Sequence, residues 1–138
     1  MKQSNKRTAA IYFRVAHEDD LAIEMQQKTL IQFAFDKGYI NPVCYADNGV
    51  SGMTLNRPAF AELAKDIKTG KVNVVIVKDL SRIGRNIHEV MQWIEDCRNA
   101  GIVVISMCEG VLTERDERYQ PYHLMLAAYA RAKGGGRK

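Results

Sequence analysis

Four arginines and one carboxylate in this chain of 138 residues have the types and the placing for phosphate chemistry. Arg14 ends an alternating apolar stretch, and Arg82 and Arg85 follow a β-branched run. Arg57 opens a helical stretch after a glycine-containing loop, and Asp47 starts that loop. A guanidinium is a permanently charged planar fork that matches two phosphate oxygens at once, which a lysine cannot do. Several of them around one phosphorus, with a carboxylate beside them, suit a pentavalent phosphate, where charge placement supplies most of the catalysis. The plainer alternative for Arg82 and Arg85, three apart in a polar stretch, is a solvated basic loop, and their spacing alone fits both readings.

The elements that would have to position these groups alternate between strand and helix. Thr8 to Val15 reads as a strand with Ala10, Tyr12 and Arg14 on one face and Ala9, Ile11, Phe13 and Val15 on the other. A helix follows from about Leu21 to Lys37, started by Asp19 or Asp20, lined by Leu21, Met25, Leu30, Phe33 and Ala34, and closed by Gly38. Pro42 to Ala46 is a short second strand. Asp47 to Asn56 is a polar loop with two glycines, expected to be mobile. Asn56 as N-cap and Pro58 in the first turn then start a helix with Phe60, Leu63, Ala64 and Ile67 on one face. Val72 to Val77 is the near-continuous β-branched run of a strand buried on both faces. Asn86 caps a third helix carrying Ile87, Val90, Met91, Ile94 and Cys97. Ile102 to Met107 is a fourth strand, Val111 and Leu112 fit a short edge strand, and Tyr122, Met125, Leu126 and Tyr129 line a last helix. The expected architecture is α/β in three layers: a mainly parallel central sheet of four or five strands with helices on both faces. One domain, residues 8–133, is expected, with tails 1–7 and 134–138 disordered. In a parallel sheet Arg14, Asp47, Arg57, Arg82 and Arg85 share the carboxyl edge, where open α/β sheets bind ligands.

Charge narrows the partners less than the pI of 9.0 suggests. The seven basic residues of segments 1–7 and 131–138 face no acidic residue there, whereas residues 8–130 hold 13 basic and 16 acidic residues, a net −3. Any nucleic-acid argument therefore rests on the local arginines. No stretch has the length of a membrane helix, and no cleavable apolar segment follows the basic start. Cys44, Cys97 and Cys108 are scattered and odd in number, which argues against a disulfide framework or zinc site and for a reducing cytoplasm. His17, His88 and His123 show no metal spacing and read as surface residues. No metal and no cofactor are expected. There is no glycine-rich phosphate loop after the first strand, which counts against a small nucleotide-binding α/β domain.

Three motifs stand in order: Tyr12-Phe13-Arg14-Val15; Asp47 with Ser51-Gly52 and Arg57-Pro58; and Asp79-Leu80-Ser81-Arg82-Ile83-Gly84-Arg85-Asn86. Together, over about Thr8 to Leu112, they resemble the resolvase/invertase family of serine recombinases. Such enzymes cut DNA with a serine, hold it as a phosphoserine–DNA link, exchange strands and reseal. The resemblance implies Arg14, Arg57, Arg82 and Arg85 as phosphate ligands, with Asp47, Ser51 and Gln27 in support, Gln26 being as well placed as Gln27. It also marks a departure. The family's nucleophilic serine follows the Arg-Val of the first strand, and here that position is Ala16. A methyl group cannot attack phosphorus, so this chain is expected to be inactive. Ser51 and Ser81 match family positions that are not nucleophiles, and Ser81 stands where many members have aspartate. Ala16 is either natural, giving a degenerate partner that joins or blocks an active recombinase, or a deliberate replacement of serine. The implied partner is DNA, bound weakly by this chain alone. A full-length member is expected to form a homodimer or tetramer. The family's long dimerisation helix and DNA-reading regions are not recognised in these 138 residues, so reading of bases is not expected from them.

Overall fold

The computed structural model describes residues 8–15, 19–48, 57–84 and 86–113. Five strands form one sheet in the order β2-β1-β3-β4-β5. They are β1 (Ala9–Val15), β2 (Val43–Asn48), β3 (Val74–Val77), β4 (Val103–Ser106) and β5 (Gly110–Val111). The first four run parallel, and β5 returns antiparallel on the edge of β4. The helices are α1 (Asp20–Asp36), α2 (Pro58–Lys68) and α3 (Ile87–Asn99), with a 3-10 turn at Leu80–Arg82.

The two sides of the sheet hold separate cores. Ala9, Ile11, Phe13, Val74, Ile76 and Ile105 pack with Leu30 and Ala34 of α1. Ala10, Tyr12, Val75, Val77 and Val104 pack with Leu63 of α2 and Val90, Ile94 and Cys97 of α3. That is the expected three-layer α/β architecture. The alternation predicted for β1 divides its residues between these cores as expected. The chain steps outward from β1 to β2, then returns past β1 to β3 and β4. With right-handed crossovers this reversal puts α1 on one face and α2 and α3 on the other. The switch in winding direction falls between β1 and β3.

Several boundaries differ from the sequence reading, each for a tertiary reason. β2 extends to Asn48, because its pairing with β1 continues through Arg14↔Asp47 and Val15↔Asn48. Asp47 therefore lies within a strand rather than opening a loop. The N-cap of α2 is Arg57, whose side chain makes no capping bond. The cap comes from Asp47, far back in sequence. On α1, Leu30 and Ala34 are buried, whereas Leu21 and Met25 are 65% and 60% exposed. The first turns of α1 thus contribute less to the core than their apolar residues suggested. On α2, Ala64 is exposed and Asp66 takes a buried place, accepting a hydrogen bond from Tyr45 Oη (2.6 Å). Local stops behave as expected: Gly38, Gly70 and Gly101 end their helices at positive φ, where a side chain would be strained. Of the expected mobile loop Asp47 to Asn56, residues 49–56 lie outside the described residues, as do the last helix and both tails.

Candidate phosphate site

The carboxyl edge between β1 and β3 carries the candidate site. β1 outruns its neighbour: the β1–β3 pairing ends at Ile11↔Ile76, and Arg14 lies beyond it. The space alongside is filled by the 3-10 turn Leu80–Arg82. Leu80, 1% exposed, pins that turn to the core. Asp79 caps it, accepting Ser81 N–H (3.0 Å) and the Ser81 hydroxyl (2.5 Å).

Arg14 and Arg57 converge on this turn from different elements. Arg14 Nη2 donates to the Ser81 carbonyl at 3.0 Å, and Arg57 Nη1 to the Arg82 carbonyl at 3.4 Å. Arg57 also lies over the Phe60 ring, 4.4 Å from its centroid, and Phe60 packs edge-on against Tyr12 at 5.1 Å. A guanidinium held on an aromatic face and a backbone carbonyl has lost much of its rotamer freedom. Arg82, carried by the turn itself, is partly exposed, with Nε 3.9 Å from Asp79 Oδ2. Three of the four expected arginines are therefore grouped around one turn. Arg85, Ala16 and Ser51 lie outside the described residues.

Asp47 sits beneath this group rather than at its mouth. It is 2% exposed. Its carboxylate accepts Tyr12 O–H (2.7 Å), Ala59 N–H (2.8 Å) and Phe60 N–H (3.2 Å). The last two are orphan donors at the start of α2, where a negative charge also meets the positive end of the helix dipole. The group thereby fixes the beginning of α2, and Arg57 with it. Tyr12 is held neutral. Burial raises its pKa first, then the hydrogen bond and charge of Asp47, with Arg57 and Arg14 opposing weakly. The sequence places Tyr12 in the first motif and on the face of Arg14 but assigns it no role, and the parity with Arg14 is the signal that brings it to the site.

The remaining residues singled out by sequence are placed as follows. Gln27 donates to Cys44 Sγ at 3.5 Å. Gln26 lines a small cavity of about 130 Å³ with Thr29, Lys78 and Met107. Cys44, Cys97 and Cys108 are free thiols. Among the described residues no cluster of His, Cys, Asp and Glu could hold a metal ion, and no helix is long and apolar enough to cross a membrane.

The family model for the resolvase N-terminal domain matches residues 9–134. A protein of Bacillus subtilis (strain 168) described as "Putative DNA recombinase" is 32% identical over 100 residues, which are 70% of this chain and 19% of that protein. The chain thus spans about a fifth of the length of that curated relative. The N-terminal catalytic domain of TP901-1 integrase is 25% identical, with a TM-score of 0.74 over 94% of this chain and 98% of that one. A resolvase family site-specific recombinase from Streptococcus pneumoniae is also 25% identical, with a TM-score of 0.69 over 94% and 90%. The catalytic domain of ISC1926 TnpA, an IS607-like serine recombinase, shares the fold at 22% identity and a TM-score of 0.66, over 91% and 80%.

Proposed function

The chain belongs to the resolvase N-terminal domain family of serine recombinases, and from that membership we propose that its arginine-grouped edge takes a DNA phosphate while Ala16 leaves it without an attacking oxygen. The observation that supports this most is the pair of bonds from Arg14 and Arg57 to the carbonyls of Ser81 and Arg82. They gather fixed positive charge at the switch in winding direction, where this class of sheet binds ligands.

In this reading Arg14, Arg57, Arg82 and Arg85 contact phosphate oxygens. Asp47 and Ser51 support them, Asp47 by holding the start of α2. In a serine form the hydroxyl oxygen of residue 16 attacks phosphorus, one phosphodiester P–O bond breaks, and the proton lost by the serine is balanced by the one gained by the departing deoxyribose oxygen, which leaves as a hydroxyl. The phosphoserine conserves the bond energy, so resealing reverses the step without an external energy source. The arginines stabilise the extra negative charge on the equatorial oxygens in both directions. With alanine at position 16, phosphate binding survives and covalent chemistry does not. Assembly as a dimer or tetramer belongs to the same proposal.

The test is an Ala16→Ser variant, joined to a downstream region that binds a defined site. Both forms are incubated with that DNA and quenched with denaturant. The serine form is expected to give a denaturation-resistant protein–DNA band and the alanine form none. A band from the alanine form would move the nucleophile elsewhere, to Ser51 or Ser81. No band from the serine form on a proven site would favour the non-enzymatic partner.

A further inference from the structure

The turn that receives Arg14 and Arg57 is itself held from β4, and we propose that Glu109, seated by Ser106, is a positioning residue for the phosphate-binding arginines. This rests on the arginine-site reading above. Glu109 belongs to the short connection between β4 and β5. Its Oε1 accepts the Leu80 N–H at 3.3 Å, the first amide of the 3-10 turn, and is hydrogen-bonded to Ser106 Oγ. That hydroxyl oxygen in turn accepts Cys108 N–H (3.2 Å) and Glu109 N–H (3.1 Å), and lies 3.3 Å from the Lys78 carbonyl. Two backbone bonds complete the clamp: Met107 N–H to Val77 O (2.9 Å) and Cys108 N–H to Lys78 O (3.0 Å).

The physical consequence follows from which groups are held. A 3-10 turn of three residues has little stability of its own. The Leu80 and Ser81 amides are taken by Glu109 and Asp79, and the Ser81 and Arg82 carbonyls by the two arginines. Fixing the first amide fixes where the Ser81 and Arg82 carbonyls point, and these orient Arg14 and Arg57. Ser106 is 1% exposed, so water does not compete for the bonds of its hydroxyl. Glu109 acts through backbone and does not need to touch the phosphate. The Leu80 amide uses an acceptor oxygen of Glu109, which glutamine also offers and alanine does not, so glutamine should preserve this hold and alanine should lose it.

The experiment uses the 138-residue chain, labelled with ¹⁵N, in wild-type, Glu109→Gln, Glu109→Ala and Ser106→Ala forms. Two readouts are taken: the Leu80 amide and Arg14 Nε–H resonances without ligand, and their shifts on titration with inorganic phosphate. Thermal melts confirm that each form is folded. Glu109→Ala should move both ligand-free resonances toward exchange-broadened, solvent-like positions and weaken phosphate by about tenfold, the scale of one lost hydrogen bond. Ser106→Ala should move them the same way by less, and Glu109→Gln should restore the wild-type spectrum and affinity. Unchanged Arg14 and Leu80 resonances in folded Glu109→Ala would overturn the proposal, as would a Glu109→Gln form that behaves like alanine. If Glu109→Ala does not fold, Ser106→Ala and Glu109→Gln decide by the same criteria. Wild-type protein whose Arg14 resonance ignores phosphate would sink the arginine-site reading, while the ligand-free resonances still decide the coupling.

Discussion

At the scale of single residues, the Tyr12–Asp47 bond joins structure to the candidate site. A buried phenol donating to a buried carboxylate contributes about 1.5–3 kcal/mol, and removing one partner leaves the other short of a bond. Tyr12→Phe is therefore expected to lower stability at neutral pH by about 1.5–3 kcal/mol in urea titrations. Its pH signature is more specific. Tyr12 and Tyr45 have raised pKa values, each chiefly through burial and then through a carboxylate partner, Asp47 or Asp66, and burial pushes the Cys97 thiol up to about 12. For each group the fold favours the protonated form. The stability they contribute is present below the ordinary values, 9.0 for the thiol and 10.0 for the phenols, and is lost as pH rises past them. Melting temperature should hold steady up to the thiol's ordinary value and fall more steeply above that of the phenols. The fall should be shallower in Tyr12→Phe. Parallel curves for the two proteins would show that Tyr12 ionises in the fold as freely as in water.

At the scale of elements, two helices start by different means. Asn86 caps α3 locally, accepting His88 N–H (3.0 Å) and Glu89 N–H (3.1 Å). Asn86→Ala should cost about 1 kcal/mol. α2 is capped by Asp47 from the neighbouring strand, so Asp47→Ala removes a cap and also strands the Tyr12 hydroxyl. A loss of about 2–4 kcal/mol is expected, combining the cap and the buried hydroxyl. In the same variant Arg57 should lose its fixed setting. Equal losses for Asp47→Ala and Asn86→Ala would mean that α2 finds another cap. α1 shows a third pattern. Leu30→Ala should cost about 2–5 kcal/mol by leaving a cavity against the sheet. Met25→Gln, earlier on the same helix at an exposed position, should change stability by less than about 0.5 kcal/mol.

At the scale of the whole molecule, charge is divided between ends and body. The basic residues Lys2, Lys6, Arg7, Arg131, Lys133, Arg137 and Lys138 flank a body of net −3. Non-specific retention of DNA by this chain should therefore be carried mainly by the two ends, and should weaken steeply with salt. Replacing those seven residues by glutamine is expected to flatten the dependence of log affinity on log salt, by about 0.9 for each phosphate they neutralise. Arg57→Gln with Arg82→Gln should flatten it far less. The reverse result, measured by fluorescence anisotropy on a random duplex, would place most of the phosphate binding on the folded body.

Local periodicity and short motifs account for what could be read from the order of residues. Alternation in β1, the β-branched run of β3 and the glycine stops of the helices were legible because each depends on residues within one or two turns of chain. The same holds for Arg14 near the end of β1 and Arg82 on the turn that follows β3. Whatever depends on a partner distant in sequence was decided by the tertiary structure. Strand pairing carried β2 on to Asn48 and turned Asp47 inward. That carboxylate caps α2, because the pairing sets it directly beside two orphan amides of the helix start. Packing against only part of α1 left Leu21 and Met25 in solvent, which composition alone does not reveal. The hold of Glu109 on Leu80, 29 residues away, has no periodic signature at all. Only the parallel pairing of β3 with β4 brings those two turns to the same edge.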